Sequence, residues 1–420
     1  MIDEICKKNN MREEHHKESD WAALRAVYNS AFFCSFGFFV VSFLIPIIAY
    51  GLMNASATEV ALIFSMFTMG SAIFSPIAGK IAKGQRRRST IFLGAIVRAC
   101  AYLGMAISVV LGNKYILIFN GLLWGLGAAF YRVSSNAEIS ERVQHENRAE
   151  AFGRREAANG RGSVIGAVIG FSIIFSLPEF GIIAVFAIFA LTNLIGGLVV
   201  IRDRHPHETN SKRFLSYNMQ DAIGLGIVAL VIAASIDTFI SALLSPFVEL
   251  FIIERFTGDI ILVALVYLPG GILSGLFGRT MGRIADHRSK VAIVSIAVVV
   301  GALSTLALVF LPMILSWPLN LISIAILFGI GSITGIMAYT VMSSVFGTAY
   351  EGRAGEGFGL FEAATGLSRI SAPLVGGILW DFLDPSAPFI LVGFSGFILV
   401  PIYVHGMRKY EHAIKNLKKQ

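Results

Sequence analysis

EAFGRREAANG, residues 150–160, returns as EGFGLFEAATG, residues 356–366. The two stretches are 206 positions apart, from Glu150 to Glu356, in a chain of 420 residues. A second pair keeps nearly the same separation: GKIAKGQRRR from Gly79 is echoed by GRIADHRSK from Gly282. Two matched pairs in the same order divide the chain into two related halves, and the hydrophobic pattern around them says what kind of unit is duplicated.

The hydrophobic fraction is 55% and the charged fraction only 15%, far from the balance of soluble domains. A helix needs about 20 mostly apolar residues to cross a hydrocarbon core of about 30 Å, and such windows follow one another with short polar gaps. They are expected at 26–52, 60–82, 90–111, 115–136, 152–177 and 180–201, and again at 222–251, 260–285, 291–315, 319–346, 357–383 and 389–407. The expected fold is therefore an all-α polytopic membrane protein of twelve transmembrane helices in two pseudo-symmetric six-helix bundles, 26–201 and 221–407. Residues 1–25 form an N-terminal tail, 202–220 a linker and 408–420 a C-terminal tail. Each 150s-type motif opens the fifth span of its half, and each Gly79-type motif lies between the second and third.

A formal charge of +7 would suit nucleic acid, but the basic residues cluster in alternate loops, as the positive-inside rule requires. With the N-terminus inside, Lys80, Lys83, Arg86 to Arg88, Arg142, Arg148, Arg202, Arg204, Arg283, Arg288 and Arg353 all fall on the cytoplasmic side, and only Lys114 and Arg255 remain outside. The expectation is a plasma-membrane protein with both termini cytoplasmic, monomeric, with lipid rather than nucleic acid as its surroundings. Residues 1–20 lack the apolar stretch of a secretory signal. Cys6, Cys34 and Cys100 show no CxxC spacing, so neither a disulfide framework nor a zinc site is indicated. His205 and His207 in the linker offer metal-ligating nitrogens, against the blander reading of a solvated link.

The motif at Gly79, Lys80, Ile81 and Ala82 with its basic run to Arg88, and its echo at Gly282, Arg283, Ile284, Ala285 and Asp286, resemble the loop signature of the major facilitator superfamily. The resemblance covers essentially the whole chain. It implies alternating access around a central cavity, lined by helices one, two, four, five and their counterparts, with three, six, nine and twelve outside. It also implies a cytoplasmic gate at Gly79, Lys83, Arg87, Gly282, Arg283 and Asp286, with Glu156, Glu356 and Glu362 as partners. The second copy keeps the family's acidic position as Asp286, whereas Lys83 replaces it in the first. Lys83 is expected to meet Glu356 or Glu362, and Asp286 to face Arg154 or Arg155 or the positive end of a helix from the other half. Arg86 to Arg88 also fit the plainer role of headgroup anchors. The family's drug antiporters carry an arginine in the fourth helix and a proline in the fifth; Gly121 and Ala167 stand there instead.

Ionisable groups inside spans are costly and by default functional. Arg132, Arg161, Arg369 and Asp237 fall on cavity-lining helices and are the substrate-binding candidates, expected to share one layer; Asp237 is also the candidate for a coupling proton. Three arginines against one aspartate make a positive cavity, which suits an organic or inorganic anion. The competing reading pairs the arginines with Glu138, Glu156 or Glu362 as purely structural bonds. Arg98, on the third helix, is expected to be structural. Tyr28, Asn29, Tyr131, Asn136, Tyr267 and Tyr339 are further polar candidates among 33 Phe and 11 Tyr.

No Walker loop, HExxH or GxSxG occurs, so no enzyme and no cofactor is expected. The expected function is gradient-driven or facilitative transport of a small solute. Proton-coupled efflux of lipophilic compounds is the alternative within transport, and a non-transporting sensor or scaffold of the same fold the alternative outside it.

Overall fold

The computed structural model describes residue 21 and residues 24–55, 57–83, 86–177, 180–203, 226–350 and 353–417. Among these residues nine helices are long and apolar enough to cross a membrane, and no strand occurs. In chain order the helices are α1 (24–34), α2 (Phe38–Ile47, continued by a π-helical turn Ile48–Leu52), α3 (Ala57–Ile81), α4 (Arg86–Val110), α5 (Lys114–Arg142), α6 (Arg148–Ser176) and α7 (Gly181–Arg202). The second half contains α8 (Ile227–Ala242), α9 (Val248–Arg255), α10 (Ile260–His287), α11 (Lys290–Ile314), α12 (Leu319–Ala349), α13 (Ala354–Ile370), α14 (Ala372–Phe382) and α15 (Ala387–Leu417).

Three expected spans are not continuous. The first breaks at 35–37, the seventh at 243–247 and the eleventh at Ser371. The first and seventh breaks occupy the same place in their halves and contain Gly37 and Pro246, residues that interrupt helical hydrogen bonding. At the eleventh, Pro373 sits in the first turn of α14, where a missing N–H is tolerated. Its counterpart 206 positions earlier is Ala167, and α6 runs through that point unbroken. Pro76, Pro269, Pro312 and Pro401 lie inside helices that continue past them, as neighbouring helices in a bundle allow. The C-terminal stretch expected as a tail continues α15 to Leu417. Of the expected linker only Arg202, the last residue of α7, and Asp203 are described; the rest of it with its two histidines, Cys6 and most of the N-terminal tail lie outside the described residues.

The halves reuse one packing plan. In the first, α5 packs on α3 and α4, and α4 on α7; in the second, α12 packs on α10 and α11, and α11 on α15. Close helix approach depends on glycine: a Cβ at Gly94 would strike the Tyr131 backbone, and one at Gly125 the Phe67 carbonyl. At the end away from the basic loops, Lys114 pairs with Glu59 at 2.8 Å and Arg255 approaches Asp384 at 3.8 Å. The backbone N–H of Ser386 holds the Asp384 carboxyl below the usual carboxylate range.

The halves meet chiefly through two helix pairs that are mates under the repeat, α3 with α13 and α6 with α10. A cavity of about 620 Å³ lies between them.

Candidate functional site

At the basic end the bundle is shut by contacts from one half to the other. Gly79 lies so close to α13 that a Cβ would overlap the Gly355 carbonyl, and Gly282 would likewise meet the carbonyl of Ala149, the repeat mate of Gly355. Gly153 meets the Gly278 carbonyl in the same way. With no side chains between them, the two backbones touch, and the charged groups just outside are brought into reach.

Lys83 and Asp286 occupy matching positions beside these glycines and solve opposite electrostatic problems. Asp286 accepts hydrogen bonds from the backbone N–H groups of Ala149 at 3.0 Å and Glu150 at 2.8 Å, at the positive end of α6. Arg154 and Arg155 are not its partners. Lys83 would be repelled by a helix N-terminus and instead pairs with the side chain of Glu356 on α13 at 2.8 Å. Glu150, the mate of Glu356, takes Arg279 at 3.1 Å and Arg283 at 3.4 Å from α10, and Arg154 at 2.9 Å from its own helix. Trp21 stacks on that Arg154 guanidinium at 3.9 Å. Deeper, Arg148 crosses to Thr348 of α12 at 3.0 Å while also donating to the Ser140 carbonyl.

Two expected gate residues sit elsewhere. Arg87 stays within the first half, buried against Glu138 and Glu141, and Arg88 pairs with Asp203 at 3.1 Å. Headgroup anchoring therefore fits exposed Arg86 alone, because burial forces the other two guanidiniums to find carboxylates. Glu156 lines the cavity rather than the shut end.

The four candidate membrane charges do not gather at one site. Arg132 of α5 reaches across the halves to Glu362 of α13 at 2.6 Å and to Ser71 of α3 at 3.1 Å, with Arg369 close enough to feel both charges. Arg161 is exposed, its Nε bonded to the Ala157 carbonyl and its stem against Gly275, and it does not line the cavity. Asp237 accepts from the Tyr403 hydroxyl of α15 at 3.2 Å, also off the cavity wall.

Of these four, only Arg132 lines the cavity. The other charged groups on its wall are Arg98, Arg155 and Glu156. Arg98 and its repeat mate Ser304 bring helices three and nine to the wall, which the expected division into lining and supporting helices left outside. Arg98 donates to the Cys34 carbonyl at 2.8 Å and lies over the Tyr131 ring. Arg155 donates to Asn136 and, at 3.0 Å, to Tyr339 of the other half. Both arginines are buried, 8% and 5% exposed, with these donors directed at protein acceptors. The wall also presents Phe67, Trp124, Tyr131, Tyr267, Phe328 and Tyr339, among which Tyr267 and Phe328 stack at 4.8 Å. Such a wall offers an amphipathic molecule stacking faces and a few fixed polar groups.

The missed wall residues carried a weak signal. Arg155 and Glu156 lie within the repeated motif itself, but a motif at a helix start reads as an end residue, not as part of a cavity.

Known proteins resemble this chain over most of its length. The model of the Major Facilitator Superfamily matches residues 27–355. Multidrug resistance protein 2 of Bacillus subtilis is 23% identical over 367 residues, 83% of this chain and 86% of that protein. The multi-drug resistance efflux pump PmrA homolog of Lactococcus lactis is 25% identical over 392 residues, 88% and 91%. Among solved structures, the proton:xylose symporter XylE superposes with a TM-score of 0.71 at 13% identity, covering 92% of this chain and 95% of its own. The human organic anion transporter MFSD10 (TETRAN) does so with 0.66 at 16%, covering 91% and 99%.

Proposed function

This chain belongs to the major facilitator superfamily, a family of membrane transporters rather than enzymes, and we propose that it is a secondary transporter exporting amphipathic organic compounds by alternating access. The carrying observation is the aromatic cavity between two halves whose closure at the basic end consists of contacts from one half to the other. Such contacts break and re-form as the halves rock, without unfolding either bundle. By the positive-inside rule the basic end is the cytoplasmic one, which puts both termini inside; the proposed setting is the plasma membrane and the proposed working unit a monomer.

Export is supported by the named activity of the two bacterial relatives. The antiporter arginine and proline absent at Gly121 and Ala167 do not remove the aromatic wall. A proton gradient is the proposed drive, with Asp237 the candidate carrier: its carboxyl and the Tyr403 hydroxyl face each other between α8 and α15. If Asp237→Asn leaves pH-driven accumulation intact, the proton travels elsewhere.

An organic anion is the second reading. Arg98 and Arg155 favour it, since their hydrogen bonds to Cys34, Asn136 and Tyr339 go to neutral groups. Arg132, Arg161 and Arg369 do not carry it, because Arg161 and Arg369 are off the wall and Arg132 is paired with Glu362.

The test is flux in proteoliposomes under an imposed proton gradient, with ethidium, N-phenylnaphthylamine and 8-anilinonaphthalene-1-sulfonate as cationic, neutral and anionic amphipaths. Gradient-dependent movement of at least one is expected. Binding without movement of any would leave a sensor or scaffold.

A further inference from the structure

The repeat places glutamates at equivalent positions, Glu156 on α6 and Glu362 on α13. Their helical surroundings are equivalent as well: α13 packs on α5, and α6 on α12, the mate of α5. At Glu362 that neighbour supplies a cation, Arg132, at 2.6 Å. At Glu156 it supplies none, for α12 carries no Lys, Arg, His, Asp or Glu along its whole length.

Glu156 instead receives a single side-chain hydrogen bond among the described residues, from the Asn159 amide one turn along its own helix at 3.1 Å. Its neighbour in sequence, Arg155, is within electrostatic reach, but that guanidinium bonds to Asn136 and Tyr339. The Glu156 side chain is part of the cavity wall and only half-buried, whereas Arg98 and Arg155 are buried within it. A carboxylate in a largely apolar cavity gains most from a cation brought to it, and aromatic faces attract the same charge.

We propose that Glu156 is the charge-reading residue of the cavity, receiving the cationic group of an organic substrate in the place that Arg132 occupies at Glu362. Asn159 is its positioning residue: the amide holds one carboxylate oxygen, and the other is left for the cation. Phe67, Trp124 and Tyr267 offer faces for the apolar remainder of the molecule. The proposal rests on the reading of the chain as a carrier of amphipathic compounds and adds the charge of the compound and the residue that selects it.

The test uses the full chain in lipid nanodiscs and measures binding of the same three amphipaths to wild type, Glu156→Gln and Glu156→Asp. Wild type is expected to prefer ethidium over N-phenylnaphthylamine. Glu156→Gln is expected to weaken ethidium at least about tenfold while leaving N-phenylnaphthylamine within about twofold, which also shows that the variant is folded. Glu156→Asp, with charge kept and reach shortened, is expected to fall between. Equal affinities of wild type and Glu156→Gln for ethidium overturn the assignment, as does loss of all three ligands together. Preference for the sulfonate, unchanged in both variants, overturns it in favour of the arginines. These three results leave amphipath transport standing. Absence of binding and flux for every probe removes the transport reading and the assignment with it.

Discussion

The carboxylate of Asp286 sits on the open N-terminus of α6, taking the backbone N–H of Glu150 at 2.8 Å. This is a bond between a side chain in the last turn of a helix of one half and the main chain of the other. Replacing Asp286 by Ala removes a charged acceptor from two donors and should weaken basic-end closure by about 1.5–3 kcal/mol, about ten- to hundredfold in the closed-to-open ratio. Maleimide labelling of Ser344→Cys, a buried position on α12, in a background without native cysteines, should speed up accordingly. Unchanged labelling would mean the bond does not hold the end shut.

Lys83 and Glu356 make the mate of that contact with two side chains, but Lys83 is 66% exposed. Solvent screens such a pair, so Lys83→Glu should shift closure by less than about 1 kcal/mol, and added salt should shrink the shift further. The charge-swapped double variant, Lys83→Glu with Glu356→Lys, should restore labelling to the wild-type rate. A Lys83 effect as large as that of Asp286 would contradict the difference in burial.

Gly79→Ala and Gly282→Ala should each obstruct closure, because the added carbon falls on a carbonyl that cannot rotate away. Folded protein with faster labelling at position 344 and reduced flux is expected. Gly301→Ala on α11 is the control: nothing lies within 4 Å of the added carbon, and replacing a helical glycine there should stabilise by about 0.5–1 kcal/mol.

Glu362→Gln should cost more than its partner's removal. It leaves Arg132 without its carboxylate partner and with Arg369 within electrostatic reach, with a penalty up to about 3–5 kcal/mol. A double-mutant cycle of Arg132→Gln and Glu362→Gln, read by thermal unfolding, should show the pair together costing clearly less than the two singles added. Simple additivity would mean that the two charges act independently.

Fold class was legible in the sequence because apolar windows and loop charge depend on local composition, which the bilayer enforces span by span. The Gly79 and Gly282 motifs were legible for a related reason: a glycine beside a charge at a helix end has few physical uses. The cavity wall was not, since it depends on helix rotation. Arg161 and Glu156 are five residues apart on α6, yet that spacing puts them on different faces, one off the cavity and one on it. The breaks in the seventh and eleventh spans were hidden because Pro246 and Pro373 look, in sequence, like Pro76 and Pro269, which their helices absorb. The partners of Arg87 and Arg88 were not legible because their acids, Glu138, Glu141 and Asp203, lie 50 to 115 positions further on.

The shut end combines bonds at Lys83, Asp286, Glu150, Arg148 and Arg132. If five such bonds each contributed about 1 kcal/mol unopposed, the molecule would occupy the other arrangement only about once in several thousand visits. A carrier cannot turn over quickly from such an imbalance, because its cycle waits on the rarer state. The dwell times of the two states must therefore be evened by an opposing set of contacts at the far end or by the bound cargo. A variant that strengthens the basic end would on this account be a more stable protein and a slower pump.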